Sequence, residues 1–140
     1  MEKATKKAIV EKAISMLTND EWNGFKNLYT VDETSLIEHL ADYLFSAKKC
    51  PTADDIVSYI KAEIDAHVIR DIFADTLKAH NLIIPTASTR GDEALIIARM
   101  AHGSHSGAKA AINKVAKINN IQIRDYKYDM GHVCFYASRI

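Results

Sequence analysis

The stretch that decides the fold lies in the last third of the chain. Gly103-Ser-His-Ser-Gly107 leads into Ala108-Lys-Ala-Ala-Ile-Asn-Lys-Val-Ala-Lys-Ile-Asn-Asn120, and two strand-like runs, Ile121 to Tyr128 and His132 to Ala137, follow around Asp129-Met-Gly131. The glycine-rich segment reads as a tight turn, with Ser106 placed to cap a helix that runs to about Asn120. At 100° per residue, Ala108, Ala111, Ile112, Val115, Ala116 and Ile118 fill one arc of that helix. Lys109, Asn113, Lys114, Lys117 and Asn120 fill the opposite arc. Gly131 suits the left-handed position of a short hairpin loop, so the two runs read as a β-hairpin.

The polar arc is unusual because it holds no acid. A solvated helix face ordinarily mixes signs, since Glu–Lys pairs one turn apart add stability. A face of lysine and asparagine alone suits a phosphate backbone, where lysine neutralises charge and asparagine can read an adenine edge. The surrounding charge follows the same trend. Residues 1–87 hold ten Lys/Arg against fourteen Asp/Glu, a net of −4; residues 88–140 hold eight against four, a net of +4. No acid occurs between Glu93 and Asp125. Mutual attraction of the two halves is the competing explanation of this asymmetry.

Upstream, helical spacing predicts five more segments before the connector Pro85-Thr-Ala-Ser-Thr-Arg-Gly91. The first runs from Lys3 to Leu17 with Val10, Ala13, Ile14 and Leu17 on one face. The second runs from Asp20 to Tyr29 around Trp22, Phe25, Leu28 and Tyr29. The third opens at a capping box, Ser35-Leu-Ile-Glu38, carries Leu36, Ile37, Leu40, Ala41, Leu44 and Phe45, and ends at Lys48-Lys49 before Pro51. The fourth opens at a second box, Thr52-Ala-Asp-Asp55. The fifth starts at Asp65, carries Ile69, Ile72, Phe73 and Leu77, and stops at Asn81, a good left-handed residue. Leu82-Ile83-Ile84 reads as a short strand stopped by Pro85. Beyond the connector, Thr89-Arg-Gly-Asp92 opens a sixth helix with Ala94, Leu95, Ala98 and Arg99. No internal repeat is evident.

Helix, tight turn, helix and hairpin in that order resemble the winged helix-turn-helix superfamily of DNA-binding domains, over residues 89–138. The turn 103–107, the helix 108–120 and the hairpin around Asp129-Met130-Gly131 carry the resemblance. It implies that helix 108–120 enters the major groove, and that Arg124, Lys127 and the loop at Met130 form a wing near the backbone. The fifth helix would have to complete the three-helix core from across the connector. A second unit of the same kind spans about 33–85, but Asp71 and Asp75 would repel a phosphate backbone there.

The expected fold class is α+β: mainly helical with a small C-terminal hairpin, a helical bundle plus a winged-helix-like unit. The expected division is an acidic structural or protein-binding part over 1–85 and a basic part over 86–140. With 140 residues, 48% hydrophobic and 26% charged, the chain can build a packed core. No apolar run is long enough for a membrane span, and the charged start lacks a signal peptide's pattern, so a cytoplasmic protein is expected. Cys50 and Cys134 make no disulfide framework.

The function these features point to is non-enzymatic binding of double-stranded DNA, as a regulator would do, through Ser106, Lys109, Asn113, Lys114, Lys117, Asn120, Arg124 and Lys127. A protein-interaction module using the charged surfaces is the alternative. A third reading has Tyr126, Tyr128 and Tyr136 stacking on single strands. No phosphate-binding loop, dinucleotide fingerprint or nucleophile elbow is present. His102, His105, His132 and Cys134 have ligand chemistry but match no zinc spacing, and no cofactor is expected.

Overall fold

The structure is a computed structural model that describes residues 2–46, 52–103 and 105–140. The side chains of Leu44 and Phe45, the Lys48-Lys49 helix end, Cys50, Pro51 and Ser104 lie outside what it describes. The fold is α+β, and the chain divides into two compact units, Met1–Ile64 and Asp65–Ile140.

Three helices and the start of a fourth build the first unit: α1 (Lys3–Ser15), α2 (Asn19–Lys26), α3 (Glu33–Ser46) and α4 (Ala53–Ala79). Its core joins Val10 and Ala13 of α1, Trp22 and Phe25 of α2, Leu36, Leu40 and Ala41 of α3, and Ile56 and Ile60 of α4. The caps explain where the helices begin. Thr18 and Glu21 form a reciprocal capping box for α2. Thr52 and Asp55 do the same for α4, as the spacing predicts. The start of α3 is corrected. Ser35 is not the cap; its backbone N–H donates to Asp32 Oδ1 at 2.7 Å, so the helix begins at Glu33.

Asp65 caps no helix either. The expected fourth and fifth helices are one helix of 27 residues. The Asp65 carboxylate instead accepts from the Arg139 guanidinium, with Nη2 at 2.7 Å from Oδ1. Apolar residues run on at helical spacing through Ile60, Ile64, Ile69 and Phe73, so nothing in the backbone requires a break.

The second unit is a four-stranded antiparallel sheet with helices on one face. Its strands are β1 (Leu82–Arg90), β2 (Glu93–Met100), β3 (Ile121–Asp129) and β4 (His132–Arg139), in the order β1-β2-β4-β3. The last helix, α5 (Ala108–Ile118), links β2 to β3. Two strands replace expected features. Leu82 to Ile84 does not stop at Pro85. The ladder shifts register between Ile83 and Thr86, and this irregularity on an edge strand admits a residue without an N–H. The sixth helix does not exist. Residues 93–100 are a strand whose buried Ala94, Ile96 and Ala98 alternate with half-buried Leu95 and Ile97. The expected helix-turn-helix order over 89–120 is therefore strand, turn, helix. The connector at Pro85–Gly91 lies within a hairpin, and the units divide at Ile64/Asp65.

The second unit also contains the repeat that the sequence hides. The last turns of α4 followed by β1 and β2 match α5, β3 and β4 at a constant spacing of 39 residues. Seven pairs of buried residues coincide: Ile69 with Ala108, Phe73 with Ile112, Leu77 with Ala116, Leu82 with Ile121, Ala94 with Val133, Ile96 with Phe135, and Ala98 with Ala137. Asn81 and Asn120 are equivalent left-handed residues that end the two helices, with φ of 61° and 54°. Their carbonyls accept from the equivalent N–H groups of Ala101 and Ile140. The β2–β4 ladder pairs Ala94 with Ala137, Ile96 with Phe135 and Ala98 with Val133, so each repeat offers the same strand to the other. That is an isologous contact within one chain, centred on Ile96 and Phe135.

Candidate nucleic-acid interface

Helix α5 buries Ala108, Ile112 and Ala116 against the sheet. This fixes the opposite side in solvent, and Lys109, Asn113, Lys114 and Lys117 are all exposed there. Ile118, expected on the apolar arc, is exposed instead. No acid among the described residues pairs with any of the three lysines. Position 107, not Ser106, is the N-cap. Gly107 sits there at φ 80° and makes no side-chain cap bond. Ser106 is exposed in the turn just before it, and Asn120 is exposed just beyond the other end.

Arg124 and Lys127 belong to a different surface. Ile121, Ile123 and Tyr126 of β3 pack into the core beneath α5. Strand alternation then turns Arg124 to the outer face of the sheet. A register shift between Arg124 and Lys127, with Asp125 at φ 55°, keeps Lys127 on that same outer face. Arg124 is also engaged. Its Nη2 donates to Glu93 Oε1 at 2.6 Å, it bonds the Asp125 carboxylate, and it lies 4.4 Å from the Tyr136 ring centre. The Glu93 bond lowers that carboxyl's pKa and raises the guanidinium's. The eight residues proposed from sequence thus divide between the solvent side of α5 and the far side of the sheet. The outer face itself is half-buried and apolar at its centre, with Leu95, Ile97, Cys134 and Tyr136 on β2 and β4.

At the N-terminal end of α5 lies a contact that the sequence leaves scattered. His105 Nδ1 and Tyr128 Oη share a hydrogen bond of 3.0 Å, with ring centres 4.7 Å apart. Tyr126 meets Tyr128 edge-on at 5.8 Å, and Lys109 Nζ stands 5.9 Å from the Tyr126 ring centre. Burial pushes the Tyr126 phenol up, whereas Tyr128 is 51% exposed. The period-two alternation of β3, read together with the hairpin register, is the signal that separates Tyr128 on the helix side from Tyr136 on the outer side. His132 Nδ1 is instead within 3.1 Å of the Met130 carbonyl. Among the described residues, no group of three or more His, Cys, Asp or Glu side chains is placed to hold a metal. No described helix is long and apolar enough to cross a membrane.

The repeat supplies an internal comparison. The α4 positions equivalent to Lys109, Ala110, Lys114 and Lys117 are Arg70, Asp71, Asp75 and Lys78. Arg70 there donates to Asp71, with Nη2 2.9 Å from Oδ1. Two helices with equivalent core residues therefore differ in their solvent sides, one balanced in charge and one carrying three lysines that pair with no acid among the described residues. Comparison with protein-family models gave no match, and no curated protein matched the chain.

Proposed function

We propose that this protein binds DNA without catalysis, laying the solvent side of α5 along the phosphate backbone. The observation that carries the reading is the acid-free lysine face of α5 beside its balanced counterpart in α4. Core packing dictates Ala108, Ile112 and Ala116, but nothing in the fold dictates three lysines with no acid among them. Each lysine that neutralises a phosphate releases condensed counterions, which makes binding salt-dependent. Lys109, Asn113, Lys114 and Lys117 make the contacts, with Ser106 and Asn120 at the two ends. Arg124 and Lys127 take no part in this surface. A regulatory role in the cytoplasm belongs to the same proposal.

Fluorescence anisotropy with labelled DNA tests it. Three phosphate contacts give a log–log salt slope of roughly −2.7 on duplex DNA, so raising salt from about 50 to 200 mM weakens binding roughly 40-fold. Substituting Lys109, Lys114 and Lys117 together by Gln flattens that slope. If the wild-type protein binds no DNA even at low salt, the reading fails and a protein partner becomes the object of search.

A further inference from the structure

The proposal that α5 binds phosphates leaves open which form of nucleic acid it accepts, and the end of the helix bears on this. The lysine side of α5 runs toward Tyr128 through Lys109 and Tyr126, a chain of contacts with no acid in it. Tyr128 is half exposed, and His105 holds its hydroxyl at 3.0 Å and packs against its ring, so the ring is fixed while half of its surface stays open. Beyond it, at the tip of the β3–β4 turn, Met130 is 93% exposed.

The repeat again shows what the fold does not require. Ala66 stands at the position equivalent to His105, Ala87 at that of Tyr126, and Thr89 at that of Tyr128. The aromatic cluster is therefore confined to the repeat with the lysine face. A ring fixed beside a row of cations is the pairing that single-stranded nucleic acid uses, with bases stacked on aromatic faces and the backbone tracked by positive charge. In a duplex the base faces are hidden in the stack and offer such a ring nothing.

We propose that Tyr128, held by His105, takes the face of an unpaired base while Lys109 holds the neighbouring phosphate and Lys117, about two turns further along α5, holds one beyond it. The nucleic acid bound through α5 is then single-stranded, or carries an unpaired base at this point. The inference rests on the phosphate-binding role proposed for α5.

The test uses the full chain and three labelled DNAs: a mixed-sequence strand of about 16 nucleotides, the same backbone with abasic sites, and the duplex. The wild-type protein is expected to bind the strand more tightly than either of the others. Tyr128→Ala is expected to weaken binding to the strand roughly 5- to 150-fold, the range for losing one base stack, and to leave abasic and duplex binding unchanged. Tyr128→Phe keeps the ring and is expected to retain most of the affinity. Circular dichroism confirms that the variants are folded. Equal losses on all three DNAs, or no loss on the strand, overturn the base-stacking inference while DNA binding by α5 stands. Failure of the wild-type protein to bind any of the three at low salt overturns both.

Discussion

Phe135 is the residue on which the reading of the second unit can be tested most severely. Its ring is 1% exposed, packs edge-on against Phe73 with centres 5.4 Å apart and 76° between planes, and lies near parallel to Tyr126 at 6.2 Å. It also faces Ile96 across the β2–β4 ladder, at the centre of the relation between the repeats. Phe135→Ala removes the ring and leaves a hole between a helix and two strands that are each fixed by their own hydrogen bonds. Large-to-small changes of this kind cost about 3–5 kcal/mol, where a whole domain holds about 5–15. With a urea slope near 2 kcal/mol/M, the unfolding midpoint of the second unit should fall by about 2 M. Phe135→Leu fills much of the hole and should lose less than half as much. Far-UV circular dichroism follows the transition. Trp22, buried in the core of the first unit, gives a separate fluorescence signal for that unit. A midpoint shift under about 0.5 M for Phe135→Ala would refute the claim that the two repeats meet through one well-packed seam.

Two further perturbations address local features. Ile84 holds φ at 52° while 63% exposed, a left-handed conformation that costs a side-chain-bearing residue about 1–2 kcal/mol. Ile84→Gly should therefore raise the thermal midpoint, and a lowered midpoint would show that the bulge needs the side chain. The Glu21 carboxyl is held below its ordinary pKa chiefly because the Thr18 backbone N–H donates to it. Its stabilising contribution is then fully present above about pH 4.3 and lost as pH falls through the lower folded-state value. Glu21→Gln should flatten the fall in thermal midpoint between neutral and acid pH, and identical pH profiles for the two proteins would sink that account.

The features read correctly from sequence are those where one local cause dominates. The Thr52–Asp55 box, left-handed Asn81, Gly131 in the hairpin turn and the buried Ala108, Ile112 and Ala116 of α5 each follow from two or three residues whose chemistry allows little else. The sequence misleads where two causes overlap. Glu93 to Met100 is apolar on both faces of its strand, so Leu95 and Ile97 mask the alternation of Ala94, Ile96 and Ala98, and alanine and leucine fit a helix equally well. Pro85 reads as a stop because its tolerance depends on the register shift of an edge strand, which is a property of the pairing. Asp65 has the chemistry of a cap, and only its distant partner Arg139 explains it. The repeat escapes notice because the matching pairs preserve burial rather than identity: Phe73 matches Ile112 and Ala94 matches Val133, while Lys78/Lys117 and Asn81/Asn120 are among the few identical pairs.

That same repeat separates what α5 does for the fold from what it does beyond it. Arg70 lies in the middle of a long helix, where the helix dipole has little effect on it. Its equivalent Lys109 lies in the first turn of α5, where the dipole disfavours a cation. The first turn holds no acid, and the N-cap is a glycine, which has no side chain to accept from the N–H groups there. Lys114 and Lys117, one turn apart, repel each other where Asp75 and Lys78 attract. Lys109 in the first turn and the repulsion between Lys114 and Lys117 each weaken the helix by a few tenths of a kcal/mol, and all three lysines add positive potential to the same side. Covering the sheet does not require this loss of acids, since α4 packs its equivalent core residues with Asp71 and Asp75 in place. Local rules broken together in one direction are what the proposed function calls for, since a surface with this sign of charge favours an anionic partner.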